Sequence, residues 1–232
     1  MPQSSITIWL EFALQQIAAE SYLDTVNISI RDEVETALVR GNNRPGFDPA
    51  TGPLLGKTQM TDLLADRFLD RYQIIDHHAN DATGFSATLM RDTTTGEYTL
   101  SFRSTEYRNQ AQGGDWERDG LLGADGEIFS DGFAFGQLAA MEEYFARLKQ
   151  GIKSDGTFDA GLQAFFADPA RQLNVTGYSL GGHLATVFTE LHYNDNDIAF
   201  GHTYTFNGAG RGPVPSTTAG HGPKRVMRGE VA

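Results

Sequence analysis

The sequence contains no cysteine. A disulfide framework, a thiolate nucleophile and a Cys-ligated metal are therefore excluded. The lack does not identify a compartment, because cytosolic and secreted chains alike can do without cysteine. Positive charge is scarce as well: 18 Lys and Arg face 30 Asp and Glu, a formal charge of −12. That balance argues against nucleic acid held by phosphate neutralisation. It also argues against electrostatic attraction to an anionic membrane, while leaving brief contact with a neutral lipid surface open. No apolar run approaches the ~20 residues of a membrane span. The N-terminus has no basic stretch leading into an apolar one, so no N-terminal signal peptide is read there. These absences predict a soluble chain, with secretion by another route left open and localisation unassigned. Zinc spacing is missing too, since neither His-x-x-x-His nor His-Glu-x-x-His occurs. His77 and His78 would point to opposite faces of a strand and cannot share one metal. The acidic run at 195–197 lacks the glycine and distal glutamate of an EF-hand loop. No metal and no cofactor is expected, with structural calcium left open.

What is present suits one globular unit. The chain has 232 residues, 40% apolar and 21% charged, enough for a sizeable core. Helical spacing over 8–20, over 32–40 and after Thr61 predicts a helical N-terminal region, 1–70, packed on the core, with Leu63, Leu64, Phe68 and Leu69 on the apolar side of the third helix. Strands are expected at 72–78, 84–91 and 97–103, the last two flanking a hairpin turn at 92–96. An irregular acidic stretch, 106–132, follows. Then come helices at 133–149 and 159–166, a strand at 171–176, a helix at 181–193 and a strand at 202–206. Strands alternating with helices in the second half predict parallel pairing through right-handed crossovers. The expected fold is α/β, an α/β-hydrolase-like, mostly parallel sheet with flanking helices across 71–210. The stretch 211–232 is Gly- and Pro-rich with basic character and reads as a poorly ordered tail.

One motif carries chemistry. Gly177-Tyr178-Ser179-Leu180-Gly181 sits between a predicted strand and a predicted helix, the context of a nucleophile elbow. The serine there occupies a tight, strained bend, and the residues two before and two after pass so close that glycine suits both. The helix beyond the bend offers free amides and a positive dipole end to a developing oxyanion. The Leu180 amide is the natural donor. The bland alternative is a glycine-rich turn whose serine merely caps the helix.

The run from Asn174 to Ala185 resembles the elbow of class 3 (fungal-type) lipases and their bacterial relatives, in the α/β-hydrolase superfamily. Phe102-Arg103-Ser104-Thr105 resembles that family's Phe-Arg-Gly-Thr/Ser, and the resemblance implies Thr105 as second oxyanion donor, through amide and hydroxyl. Ser104 stands where the family usually has glycine. Trp116-Glu117-Arg118-Asp119 resembles the Trp-x-x-Asp that follows the lid, which would make 106–118 a lid. The run from Thr203 to Gly210 resembles the next core strand. The resemblance spans 72–210 and implies a serine ester hydrolase acting on an ester or lipid substrate.

A serine hydroxyl needs a base in reach and an acid to orient it, in the chain order Ser, Asp or Glu, His on this fold. Only 53 residues follow Ser179, so a C-terminally truncated, catalytically incomplete domain with at most a lipid-binding role stays open as the alternative. Asp195 and Asp197 precede a strand rather than follow one. His183 is too close to the serine in sequence, and His192 and His202 read as structural. His221 alone lies late enough to be the base.

Overall fold

The computed structural model describes residues 5–42, 58–105, 116–193 and 198–210. Three helices precede the first strand: α1 (Ser5–Glu20), α2 (Arg31–Arg40) and α3 (Asp62–Arg71). The Thr61 side chain accepts the Leu64 amide and caps α3, as its position predicts. The apolar side of α3 differs from expectation. Its inward stripe runs through Ala65, Phe68 and Leu69, while Leu63 and Leu64 are exposed. The spacing of three and four residues from Ala65 leaves the first-turn leucines outside that stripe.

Five strands form one sheet in the order β1-β2-β3-β4-β5. Strand β1 (Tyr72–His78) pairs antiparallel with β2 (Ala87–Asp92), and β2 antiparallel with β3 (Tyr98–Phe102). The Asp92 carboxylate accepts the Thr94 and Thr95 amides at 2.8 and 3.2 Å, and Gly96 takes φ 78° to close the turn. Strand β3 pairs parallel with β4 (Gln172–Tyr178), and β4 parallel with β5 (Ala199–Phe206). The sheet is therefore mixed. Its parallel half is the one joined through helices, as the alternation in the sequence predicts.

Between β3 and β4 lie α4 (Trp116–Asp119), α5 (Ala124–Asp131), α6 (Phe135–Lys149) and α7 (Ala160–Ala167); α8 (Leu180–His192) joins β4 to β5. Helices α4 and α5 fall inside the stretch expected to be irregular. The signal was weak because α5 buries only Ala124 fully and so shows no apolar stripe. Gly132 ends it in the left-handed conformation at φ 85°.

The two faces of the sheet differ in chemistry. Leu89, Tyr98, Leu100, Phe102, Leu173 and Val175 share one core cluster with α6, α7 and α8, which contribute Met141, Phe145, Phe165, Leu184 and Phe188. The alternate residues Thr88, Thr99, Ser101, Asn174 and Thr176 are buried as well, but polar. Helix α1 lies on β2 to β5 and covers that second face. A separate apolar cluster gathers α1, α2 and α3 around Tyr72, Ile74 and Met90 at the β1–β2 edge.

Candidate active site

The bend expected at Ser179 is present. Ser179 has φ 52° and ψ −116° between the end of β4 and the first residue of α8. Such backbone costs a residue with a Cβ about 1–3 kcal/mol and persists only where surroundings enforce it. The enforcement is visible. The Ser179 amide donates to the Phe206 carbonyl at 3.0 Å, and its carbonyl accepts the His183 and Ala209 amides at 3.1 and 3.0 Å. A Cβ on Gly177 would lie 2.0 Å from the Gly181 carbonyl oxygen, and one on Gly181 would lie 2.2 Å from the Phe102 carbonyl oxygen. A Cβ on Gly182 would meet Gly208 Cα at 2.7 Å. The chain thus threads between the end of β3 and the loop after β5, at a spacing only glycine permits. Ser179 itself is half-buried. The amide of Leu180, first in α8, has no place in the helix ladder.

The end of β3 arrives beside this bend, since Phe102 pairs with Gly177. Thr105 lies three residues beyond and is buried. Its hydroxyl donates to the Asp125 carboxylate, at 3.2 and 3.3 Å to the two oxygens. One hydroxyl carries one proton, so with Asp125 engaged only the Thr105 amide remains as a donor. Burial raises the Asp125 pKa, and the Thr105 hydrogen bond partly offsets the rise. Helix α5 is held at this point by Ala124 and Ile128 packing with Leu180 and Ala134. Ser104 is turned elsewhere: its hydroxyl donates to Glu20 Oε2 at 2.6 Å. Asp119, the acid of the Trp-x-x-Asp block, is buried and accepts Gln137 Nε2 at 2.7 Å.

The described histidines have other employment. His183 is fully buried; its Nδ1 donates to the Gly210 carbonyl at 2.5 Å and its Nε2 accepts the Ala134 amide at 3.3 Å. His192 sits 3.1 Å from both oxygens of Glu142. His202 packs its ring at 5.7 Å from Tyr204. His77 contacts Thr88 Oγ1 at 3.0 Å, and His78 contacts Asp81 at 3.4 Å. Among the described residues, no imidazole bonds to the Ser179 hydroxyl and no cluster could hold a metal ion. His221, Asp195, Asp197, the stretch 106–115 and the tail 211–232 lie outside the described residues.

On the α1 side, a cavity of about 350 Å³ opens beside the bend, lined by Ala13, Gln16, Glu20, Tyr178 and Phe206 among others. Asp125, Glu20 and Gln16 went unread in the sequence. No motif marks them, and only the fold brings them to the end of β3.

No protein-family model matches the sequence, and no curated protein matches it. The chain is structurally similar to fungal lipases. A lipase from Rhizopus microsporus var. chinensis matches at 13% identity and TM-score 0.41, covering 88% of this chain and 58% of that one. Lip2 lipase from Yarrowia lipolytica matches at 15% identity and TM-score 0.38, covering 87% and 58%. Rhizomucor miehei triacylglyceride lipase matches at 14% identity and TM-score 0.36, covering 88% and 62%. This chain thus spans less than two thirds of the length of the lipases it matches. These are likenesses of backbone shape, and the site's chemistry rests on its own geometry. Among the described residues no helix is long and apolar enough to cross a membrane.

Proposed function

We propose that this chain is a serine ester hydrolase of the lipase or esterase type, with Ser179 as nucleophile. The observation that carries the proposal is the φ of 52° at Ser179 on a strand-to-helix bend, strain that a mere helix cap would not require. Ser179 Oγ attacks the ester carbonyl carbon and passes its proton to a base. The oxyanion takes hydrogen bonds from the amides of Leu180 and Thr105. The alcohol leaves with that proton, and water then hydrolyses the acyl-enzyme. By chain order the base would be His221. Acylglycerols, phospholipids and simpler esters all fit this chemistry.

A lipid-like substrate is supported by the surface around α5. Leu122 is 99% and Phe129 91% exposed, with Leu121 and Phe135 also largely exposed. Exposed apolar side chains on and beside the helix that packs on Leu180 suit transient contact with a lipid aggregate.

The second reading, a catalytically incomplete domain, is favoured by one observation: among the described residues no imidazole bonds to the Ser179 hydroxyl. A fluorophosphonate probe separates the two. The first reading expects covalent labelling that maps to Ser179 and vanishes in Ser179→Ala, with Ser179-dependent release of p-nitrophenol from p-nitrophenyl butyrate. Folded protein that takes up no label would remove the hydrolase proposal and leave the second reading.

A further inference from the structure

The N-terminal helix reaches the oxyanion strand through one buried carboxylate. Glu20, the last residue of α1, is 5% exposed. Its Oε1 accepts the Ser104 amide at 3.1 Å, and its Oε2 accepts the Ser104 hydroxyl at 2.6 Å. One turn back, Gln16 donates from Nε2 both to Glu20 Oε1 at 2.7 Å and to the Phe102 carbonyl at 2.9 Å, while its Oε1 accepts the Ser101 hydroxyl at 2.8 Å. Arg103 places its guanidinium 4.1 Å from the centre of the Tyr22 ring. Residues 101, 102, 103 and 104 are thus each held from α1 or the residues just after it, and Thr105 comes next.

Three features set this apart from ordinary packing. The bonds go to successive residues of one strand end, leaving that segment little freedom to shift. They are buried, where a lost partner leaves an unsatisfied group. And a carboxylate has been kept inside at a cost: burial raises the Glu20 pKa, opposed by nearby Arg103 and by the bonds from Ser104 and Gln16. A leucine at position 20 would avoid that cost but could accept nothing from Ser104.

We propose that Glu20 is a positioning residue of the hydrolase site: by gripping Ser104 through both its amide and its hydroxyl, it fixes the direction of the Thr105 amide as an oxyanion donor. This rests on the hydrolase reading above. It also explains Ser104, because its hydroxyl supplies half of the grip and a glycine there would supply only the amide.

The test uses the full chain and saturation kinetics of fluorophosphonate labelling, which separate probe affinity from the limiting rate of phosphonylation. Wild type, Glu20→Ala, Glu20→Gln and Ser104→Ala are compared well below their melting temperatures. Misplacing an oxyanion donor should cut the limiting rate and leave half-saturation unchanged, because the loss falls on the transition state. Glu20→Ala should label about 10- to 100-fold more slowly. Glu20→Gln keeps an acceptor for the Ser104 amide and should stay within about 3-fold of wild type, while Ser104→Ala should lose about 3- to 10-fold. Amide exchange in a peptide covering 101–105 should speed up in Glu20→Ala. The proposal is overturned, with the hydrolase reading intact, if wild type labels and folded Glu20→Ala labels at the same limiting rate. Equal losses in Glu20→Ala and Glu20→Gln would also overturn it, since charge rather than placement would then matter. Should Glu20→Ala not fold, Ser104→Ala decides, and an unchanged rate there overturns the proposal. A wild-type chain that takes up no label overturns the hydrolase reading and this inference together.

Discussion

The two faces of the sheet hold to their helices in different ways. Against α6, α7 and α8 the contact is mainly aromatic and aliphatic, with Phe102, Phe145 and Phe188 stacked edge to face at 4.9–5.6 Å and hydrogen bonds confined to pairs such as Tyr144–Asp76 and Thr189–Thr203. Against α1 there is apolar packing at both edges, on Met90 and on Tyr204, but at the end of β3 the contact is made by Ser101, Ser104, Gln16 and Glu20 through directed bonds. Apolar contact is strong per residue but tolerates sliding, whereas hydrogen bonds contribute modestly and fix position. The first face holds the larger apolar cluster, so it is expected to carry most of the stability of the fold. The second lies beside the Ser179 bend, where the proposed chemistry would need placement.

The largest way to press this contrast is on the apolar face. Phe188 is fully buried, so Phe188→Ala should cost about 3–5 kcal/mol in urea unfolding. On the polar face Ser101→Ala strands Gln16 Oε1 and should cost about 1–3 kcal/mol. If the two losses were equal, the division of labour between the faces would be wrong.

Acid offers a second handle on the polar face. His77 is held neutral there: burial lowers its pKa to about 3, helped by the charges of Arg103 and His78. Its folded pKa lies below the unfolded value of about 6.5, so the unfolded chain binds the proton first as pH falls. The stability this group contributes is complete above about pH 6.5 and is lost on descending towards pH 3, by at most about 1.4 kcal/mol per pH unit. His77→Leu should flatten the stability-against-pH slope in that window. A slope unchanged by the substitution would mean that the ring is solvated in the folded state.

The sequence was readable where pattern and mechanism coincide. The elbow announced itself through Gly177, Ser179 and Gly181 because only glycine tolerates those contacts. The alternation in Tyr98-Thr99-Leu100-Ser101-Phe102 identifies a strand, and such alternation ordinarily accompanies one solvated face. Both faces are buried, because α1 brings its own polar side chains to meet Thr99 and Ser101. That is a long-range match, and Gln16 and Ser101 are 85 residues apart. Local periodicity cannot show it. Asp125 was hidden in the same way, on a helix too polar and glycine-bracketed to read as one. Leu63 and Leu64 misled in the opposite direction, since apolar residues at helical spacing need not face the core.

Smaller effects bear on the bend itself. Ser179→Gly and Ser179→Ala should both abolish labelling by the fluorophosphonate probe, but they should differ in stability. Alanine keeps the Cβ and the penalty at φ 52°; glycine releases it while gaining freedom in the unfolded chain. The glycine variant should be the more stable of the two by about 1 kcal/mol after that offset. Equal melting temperatures would mean that the bend relaxes once the hydroxyl is gone, and the strain would then belong to the side chain rather than to the surrounding glycines.

The smallest expected effect is at Thr176, one residue before the elbow's first glycine. Its side chain is buried on the polar face, and its hydroxyl has no hydrogen-bond partner among the described residues. Valine has the same shape without the polar atom, so Thr176→Val should be neutral or stabilising by up to about 1 kcal/mol. Ser101 and Thr176 are paired neighbours on adjacent strands, which makes the contrast local: one hydroxyl is tied to α1 and the other is not. If Thr176→Val instead destabilised the chain as much as Ser101→Ala, the hydroxyl would be using a partner, and the polar face would be a continuous network reaching the elbow rather than a clamp confined to the end of β3.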